Sequence, residues 1–224
     1  MAEAYICAAV RTAGGRRGGK VADWHPVDLA AQSLNAVVDR SGVDPAAIED
    51  VIMGCVGMVG EQGLHIGRNA VLASKLPEHV PAVSIDRQCG SSQQAIQFAA
   101  QAVMSGTMDL VIAAGVESMT RVPMGSSGRL SPSFEPGFTQ FAGAEMIAQK
   151  HGFTREQLDA FSLESHKRAA AAIQAGAFND EIVPLEIEGG MHTQDEGVRL
   201  DASMEGLGGL KTLVEGGVIT AGNA

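Results

Sequence analysis

The feature that most constrains the fold is a strand–turn–helix unit at residues 80–106, VPAVSIDRQCGSSQQAIQFAAQAVMSG. Apolar residues alternate up to Ile85, polar residues then break the pattern, and apolar residues recur at helical spacing until Gly106. Cys89 therefore falls at the start of the predicted helix, where free backbone amides and the positive end of the helix dipole favour a thiolate. We predict a chemical role for Cys89 rather than a structural one.

Strand and helix signals alternate through the first half of the chain, which predicts a parallel sheet wrapped by helices with right-handed crossovers. Ligands of such sheets bind at the carboxyl ends of the strands, and Cys89 and the segment 115–120 both follow predicted strands. The apolar runs that predict strands are residues 4–10, 51–56, 80–85 and 110–114, with a strand-like run at 181–188, and the first helices are predicted at residues 26–41 and 65–74.

Composition and charge exclude several classes of protein. The chain has 224 residues, 45% of them hydrophobic, which is enough for a sizeable core. The formal net charge of −10 argues against nucleic-acid binding, because no basic stripe is available to neutralise phosphates. No apolar run approaches the roughly 20 residues of a membrane span, and the N-terminus lacks the pattern of a signal peptide. We therefore expect a cytoplasmic protein that neither binds nucleic acid nor enters a membrane.

The cysteines and histidines give no sign of a metal site. The chain has three Cys residues without CxxC spacing, which fits a reducing compartment and predicts neither a disulfide framework nor a zinc site. Cys7 and Cys55 lie inside predicted strands and are interpreted as inert core residues. The six histidines lie on helix flanks or in loops without metal-ligand spacing, and we expect them at the surface or hydrogen-bonded.

The sequence changes character after residue 118. Residues 124–138 are rich in Gly, Ser and Pro, which is typical of a linker or a surface loop. Thr154 and Gln157 then form a capping-box pattern at the start of a long helix. We predict two regions, an α/β domain at residues 1–118 and a mainly helical insertion at residues 119–224 that returns towards the sheet of the first.

Several segments resemble, in order, motifs of the thiolase family, the acetyl-CoA acyltransferases. The segment around Cys89 resembles the family's nucleophile motif N/D-R-x-C-x-S, and the likeness extends over essentially the whole chain. The other segments are RTAGG (11–15) beside the family's RTPxG, AGVESMT (114–120) beside GGxESMS, residues 144–185 beside its loop domain, and residues 195–199 and 219–224 beside DExxR and TAGNAS.

The resemblance implies an α/β fold of layered α-β-α type, with a mostly parallel five-stranded sheet, helices on both faces and an α-rich loop-domain insertion. It implies that Cys89 is the nucleophile that takes an acyl group from a CoA thioester, and that Arg199 and Ala221 lie near the bound substrate or CoA. Coenzyme A and acyl-CoA would be substrates in 3-ketoacyl-CoA cleavage or acetoacetyl-CoA formation, with no permanently bound cofactor. A homodimer or larger oligomer is expected. Glu117, in the ESM motif, is interpreted as a structural acid.

No segment of the 224 residues resembles the second half of the family, whose NEAF, GHP and CxG motifs supply an Asn, the His that activates the nucleophile and a second acid/base Cys. The resemblance therefore covers the N-terminal and loop domains only. Two hypotheses stay open: an active thiolase-type acyltransferase, or a truncated or split-thiolase subunit whose activity depends on a separate chain that carries the second half. A condensing enzyme of the ketoacyl synthase type is a third, which the ESM and TAGNA segments speak against.

Overall fold

The computed structural model describes residues 3–128, 133 and 139–224. The chain divides into two compact units. The first comprises Met1–Arg129 and Glu181–Asp195, and the second comprises Leu130–Asp180 and Glu196–Ala224. The division predicted from the sequence, after residue 118, stays a prediction of domain organisation, and the two units are described separately below.

Three parallel strands form the main sheet of the first unit, in the order β3–β2–β4. Strand β2 is central: its residues pair with β3 from Val51 to Gly54 and with β4 from Asp50 to Gly54. The strands of this unit are β1 (Arg11–Thr12), β2 (Asp50–Gly54), β3 (Ala82–Ile85), β4 (Val111–Gly115), β5 (Ile182–Val183), β6 (Leu185–Ile187) and β7 (Gly190–His192), and its helices are α1 (Pro26–Ser41), α2 (Ile66–Ala73) and α3 (Ser91–Met104), with short 3-10 turns at Pro45–Ala47 and Gly60–Gln62.

Helices cover both faces of this sheet because successive side chains of a strand point in opposite directions. Val51 and Met53 are fully buried in a core that α1 and α2 build with residues such as Leu34 and Ile66. Ile52, between them in the strand, packs on the other face with Ala95 and Ala99 of α3. The prediction of a parallel sheet with helices on both faces is confirmed.

The first predicted strand, residues 4–10, is wrong. Only Arg11–Thr12 is extended and paired, in a two-residue parallel ladder with Ile182–Val183. Among the described residues no strand lies beside 4–10, so this apolar run has neither sheet partners nor a core, and Tyr5 and Ile6 are 77% and 79% exposed. The five parallel strands of the first unit thus form two sheets instead of the single one predicted. Cys7 lies in this segment and is exposed, so its interpretation as a core residue is also wrong.

The strand-like run at 181–188 divides at Pro184 into β5 and β6, and β6 pairs with β7 in an antiparallel hairpin. His192, at the end of β7, is fully buried, with its Nε2 atom 3.1 Å from the carbonyl oxygen of Ala13. Its Nδ1 atom has no hydrogen-bond partner in the described part of the chain. His192 is thus hydrogen-bonded, as expected of a buried histidine, but only through Nε2; its Nδ1 atom departs from the expectation.

The second unit is mainly helical, with α4 (Gln140–His151), α5 (Arg155–Gln174) and α6 (Met204–Gly208). The predicted capping box is present at the start of α5, where the side chains of Thr154 and Gln157 each bond the other's backbone amide. Most of the predicted linker at 124–138 lies outside the described residues. A search of the described helices finds none that is long and apolar enough to cross a membrane.

Candidate active site

Cys89 lies in a five-residue turn, 86–90, between the end of β3 and the start of α3. It precedes Ser91, the first residue of the helix, by two positions, and its side chain is exposed. The placement predicted from periodicity is thus confirmed. The helix begins without a side-chain cap, because Gly90 occupies the N-cap position. The amide of Ser91 donates to the carbonyl of Gln88 at 3.0 Å, whereas the amides of Ser92 and Gln93 are not bound by a capping side chain and can face a negative charge.

A small hydrogen-bond network holds this turn. The backbone amide of Gln88 donates to Oδ1 of Asp86 at 2.7 Å, and the amide of Gly90 donates to the carbonyl of Arg87 at 3.1 Å. The hydroxyl of Ser91 accepts from the amide of Arg87 at 2.9 Å and donates to the carbonyl of Gln88 at 2.6 Å. The backbone on both sides of Gln88, the residue before Cys89, is therefore fixed by side chains.

Two glycines let the start of α3 sit directly on the carboxyl ends of the strands. A Cβ atom on Gly54, the last residue of β2, would lie 2.5 Å from the backbone carbon of Ser91 and from the nitrogen of Ser92. A Cβ atom on Gly115, the last residue of β4, would lie 2.7 Å from Cβ of Ser92. Such distances are far below van der Waals contact. Glycine at both positions is what allows the helix start, and with it Cys89, to lie at this edge of the sheet.

The surroundings of the thiols of Cys89 and Cys55 differ. In the part of the chain that the structure describes, no side chain forms a hydrogen bond with Sγ of Cys89, and no histidine is bonded to it. Cys55 is buried, and burial, with smaller contributions from the charges of Glu117 and Asp86, raises the pKa of its thiol to about 12. The expectation that the letters of the CxG motif are absent is wrong, because residues 55–57 read CVG. A buried thiol that stays protonated is nevertheless suited to packing.

Glu117 has the structural role expected from the sequence. Its carboxylate accepts hydrogen bonds from the amides of Val56 at 2.8 Å and Gly57 at 3.2 Å, and from Nε2 of the fully buried Gln62 at 2.7 Å. Gln62 in turn accepts from the amide of Ser118 at 2.6 Å. These bonds tie the loop after β2 to the loop after β4, beside the strand ends that support the Cys89 turn.

Within the first unit, the RTAGG segment contacts Asp195, the first residue of the DExxR segment. Arg11 forms a two-pronged ion pair with Asp195, with N–O distances of 2.6 and 2.9 Å, and its Nε lies 2.5 Å from Oε1 of Glu181. Asp195 also accepts from the amide of Gly14 at 2.6 Å. The hydrogen bond from Arg11, helped by the Gly14 amide and opposed by partial burial, holds the pKa of Asp195 below its ordinary value.

The other two predicted site residues, Arg199 and Ala221, belong to the second unit, whereas Cys89 belongs to the first. Both are exposed. The backbone amide of Arg199 donates to Nδ1 of His166 at 3.2 Å. Their roles in binding substrate or CoA stay predictions.

Buried carboxylates hold the segment that carries Ala221, and sequence reasoning missed them. Glu145, only 7% exposed, accepts from the amides of Val218 and Ile219 at 2.9 and 3.1 Å. Asp159, only 1% exposed, pairs with Arg155 and accepts from the side-chain amide of Asn223 at 2.8 Å. The signal available in the sequence was an acidic residue on the inner face of each of two helices, which local patterns cannot assign to a distant loop. Within the described residues, no cluster of three or more His, Cys, Asp or Glu could hold a metal ion.

Comparison with known proteins agrees with this architecture. The family model for the thiolase N-terminal domain matches residues 4–224. The steroid 3-ketoacyl-CoA thiolase FadA6 of Mycobacterium tuberculosis is 47% identical over the whole chain, and the 3-ketoacyl-CoA thiolase of Pseudoalteromonas translucida is 38% identical. The crystal structure of the Bacillus anthracis acetyl-CoA acetyltransferase superimposes with a TM-score of 0.89 at 33% identity, over 100% of this chain.

The chain spans 59% and 61% of the length of these two curated relatives, and 62% of the crystallised protein. The family match covers nearly every residue, and the predicted α/β fold of the thiolase type is confirmed. The chain belongs to the thiolase family.

Proposed function

We propose that this chain carries the acyl-accepting nucleophile of a thiolase-type acyltransferase, and that the nucleophile is Cys89. The observation that carries the proposal is an exposed thiol in a hydrogen-bonded turn at the start of a helix, in a chain whose relatives are named as thiolases. Cysteine suits this task because its thiolate is a strong nucleophile and its thioester is reactive enough to pass the acyl group on.

In the proposed step the Cys89 thiolate attacks the carbonyl carbon of an acyl-CoA. The new bond joins Sγ to that carbon, the bond from the carbon to the CoA sulfur breaks, and CoA leaves as a thiolate that takes up a proton. The acyl group then passes from Cys89 to the carbanion of a second acetyl-CoA, which forms a 3-ketoacyl-CoA and frees the Cys89 thiolate. In the cleavage direction the Cys89 thiolate attacks the 3-keto carbon of a 3-ketoacyl-CoA, the bond between C2 and C3 breaks, and acetyl-CoA leaves as a carbanion that takes up a proton. The acyl group then passes from Cys89 to the thiol of CoA, which loses its proton. On the resemblance alone, we also propose that Arg199 and Ala221 bind the CoA substrate.

A second candidate function is that of a partner-dependent subunit. It is favoured by the surroundings of Cys89: within the described residues no histidine is hydrogen-bonded to its thiol. In this case the first half-reaction takes place at Cys89, while the groups for the later proton transfers come from another polypeptide. Cytoplasmic location and self-association, both expected from the sequence, stay predictions.

Intact-mass measurement after incubation with acetyl-CoA or acetoacetyl-CoA tests the proposal. We expect the wild-type chain to gain the mass of one acetyl or acetoacetyl group and the Cys89→Ala variant to gain none. Cys7→Ala is the matched control, because it removes the other exposed thiol and should leave the adduct intact. An equal adduct on Cys89→Ala, or none on the wild type, contradicts the nucleophile assignment. Turnover of acetoacetyl-CoA and CoA by the purified chain would refute the partner-dependent role.

A further inference from the structure

The residue before Cys89 has an unusual backbone conformation. Gln88 has φ +49°, and only two other non-glycine residues in the described part of the chain, Leu64 and His65, have a positive φ. A residue with a Cβ atom is disfavoured in this left-handed region because the Cβ crowds the backbone. Such a conformation persists only where surrounding contacts fix it, and it is frequent at functional sites. Gln88 orients the peptide that leads into Cys89, so whatever fixes Gln88 also fixes the direction of the thiol.

The side chain best placed to fix Gln88 is Ser91. Its residue is 4% exposed, and its hydroxyl bonds the backbone on both sides of Gln88, through the amide of Arg87 at 2.9 Å and the carbonyl of Gln88 itself at 2.6 Å. The carbonyl of Gln88 also accepts from the backbone amide of Ser91 at 3.0 Å, and the amide of Gln88 donates to Oδ1 of Asp86 at 2.7 Å. The hydroxyl of Ser91 is the group that joins the backbone on the two sides of Gln88. The neighbouring Ser92 is exposed, and its hydroxyl makes no hydrogen bond within the described residues.

We infer that Ser91 is a positioning residue for Cys89: its hydroxyl holds Gln88 in the left-handed conformation that presents the thiol at the start of α3. The inference rests on the proposed function, because it matters only if Cys89 reacts. Ser91 itself is not an acid or base in this arrangement, since its proton is donated to a backbone carbonyl and its oxygen accepts from a backbone amide. Without the hydroxyl, Gln88 can relax to an extended or helical conformation, and the peptide that leads into Cys89 then changes direction.

The test compares Ser91→Ala with Ser92→Ala, each in a Cys7→Ala background so that Cys89 is the single exposed thiol. The probe is the rate of alkylation by iodoacetamide at neutral pH, which reports the reactivity of the thiol and needs no acyl-CoA. We expect Ser91→Ala to slow alkylation about tenfold and Ser92→Ala to leave the rate unchanged. Tenfold corresponds to about 1.4 kcal/mol, which is comparable to the cost of the left-handed conformation.

A rescue variant separates positioning from a general loss of structure. Glycine adopts a positive φ without the Cβ clash, so Gln88→Gly combined with Ser91→Ala should recover most of the alkylation rate. Equal rates for Ser91→Ala and Ser92→Ala overturn the inference. So does a Ser91→Ala defect that Gln88→Gly leaves unchanged, including one caused by unfolding seen in circular dichroism. If the wild-type chain shows no acyl adduct while the alkylation results are as expected, the proposed function fails and the role of Ser91 in setting thiol reactivity stands.

Discussion

Gly115→Ala tests whether the start of α3 is pressed against the sheet as closely as the structure indicates. The added methyl group would lie 2.7 Å from Cβ of Ser92, and its other neighbours, the carbonyl oxygen of Gly54 and Cα of Ser92, are at ordinary contact distances of 3.5 and 3.6 Å. The two Cβ atoms must separate by roughly 0.8 Å to reach van der Waals contact. Overpacking of this kind costs about 1–3 kcal/mol, so we expect a loss of that size in the free energy of unfolding.

Removing the other partner of the clash should restore part of this loss. Ser92→Gly alone costs roughly 0.5–1 kcal/mol, because glycine is a poor residue in a helix. The double variant Gly115→Ala/Ser92→Gly no longer contains the close pair of Cβ atoms, and we expect it to be at least about 1 kcal/mol more stable than the sum of the single effects predicts. The same second substitution should not help Gly54→Ala, whose clash is with backbone atoms of Ser91 and Ser92.

Urea unfolding of the wild type and of each of these variants, followed by circular dichroism, measures these free energies. Gly197→Ala is the neutral control, since a Cβ atom there meets no heavy atom within 4 Å, and it should stay within about 0.5 kcal/mol of the wild type. Additive effects of Gly115→Ala and Ser92→Gly would refute the close contact. So would a Gly115→Ala variant as stable as Gly197→Ala.

Two further predictions concern ionisable groups. Because Arg11 lowers the pKa of Asp195, this pair stabilises the fold above about pH 4, and the contribution is lost as pH falls through the lowered pKa. Below about pH 4, the free energy of unfolding of Asp195→Asn should therefore decrease less steeply with falling pH than that of the wild type. An identical decrease in the two proteins would count against the pair. Iodoacetamide at neutral pH should modify Cys89 and spare Cys55, because the latter thiol is buried with a pKa of about 12, and peptide mass mapping that finds equal modification would contradict that burial.

Local sequence patterns predicted most of the elements that position the candidate site. Helical periodicity and caps located α1, α3 and α5, and the strand–turn–helix pattern located Cys89 before Ser91. The same patterns failed at residues 4–10, because an apolar run indicates burial but does not say whether a neighbouring strand is present to pair with it.

The sequence also did not reveal the contacts between segments that lie far apart along the chain. Glu145 lies 73 positions before Val218, whose amide it binds, and nothing in either segment alone indicates the other. The two hydrogen bonds of the Ser91 hydroxyl are local, but they accompany the positive φ of Gln88. Glutamine is not a residue type that predicts a positive φ, so the sequence does not reveal this conformation. Long-range pairing and left-handed non-glycine residues are therefore where structure adds most to the description of this site.

Side chains of β2 alternate between the two faces of the sheet, so substitutions at neighbouring residues of this strand have different effects. Val51 and Met53 belong to the core with α1 and α2, so substitutions there change the stability of the unit and have little effect on the position of the turn that carries Cys89. Ile52 faces α3, the helix whose first residues hold that turn, so a change in its volume acts on stability and on the placement of the thiol together. Substitutions at Val51 or Met53 can therefore change the stability of the unit without moving Cys89, whereas a substitution at Ile52 changes both.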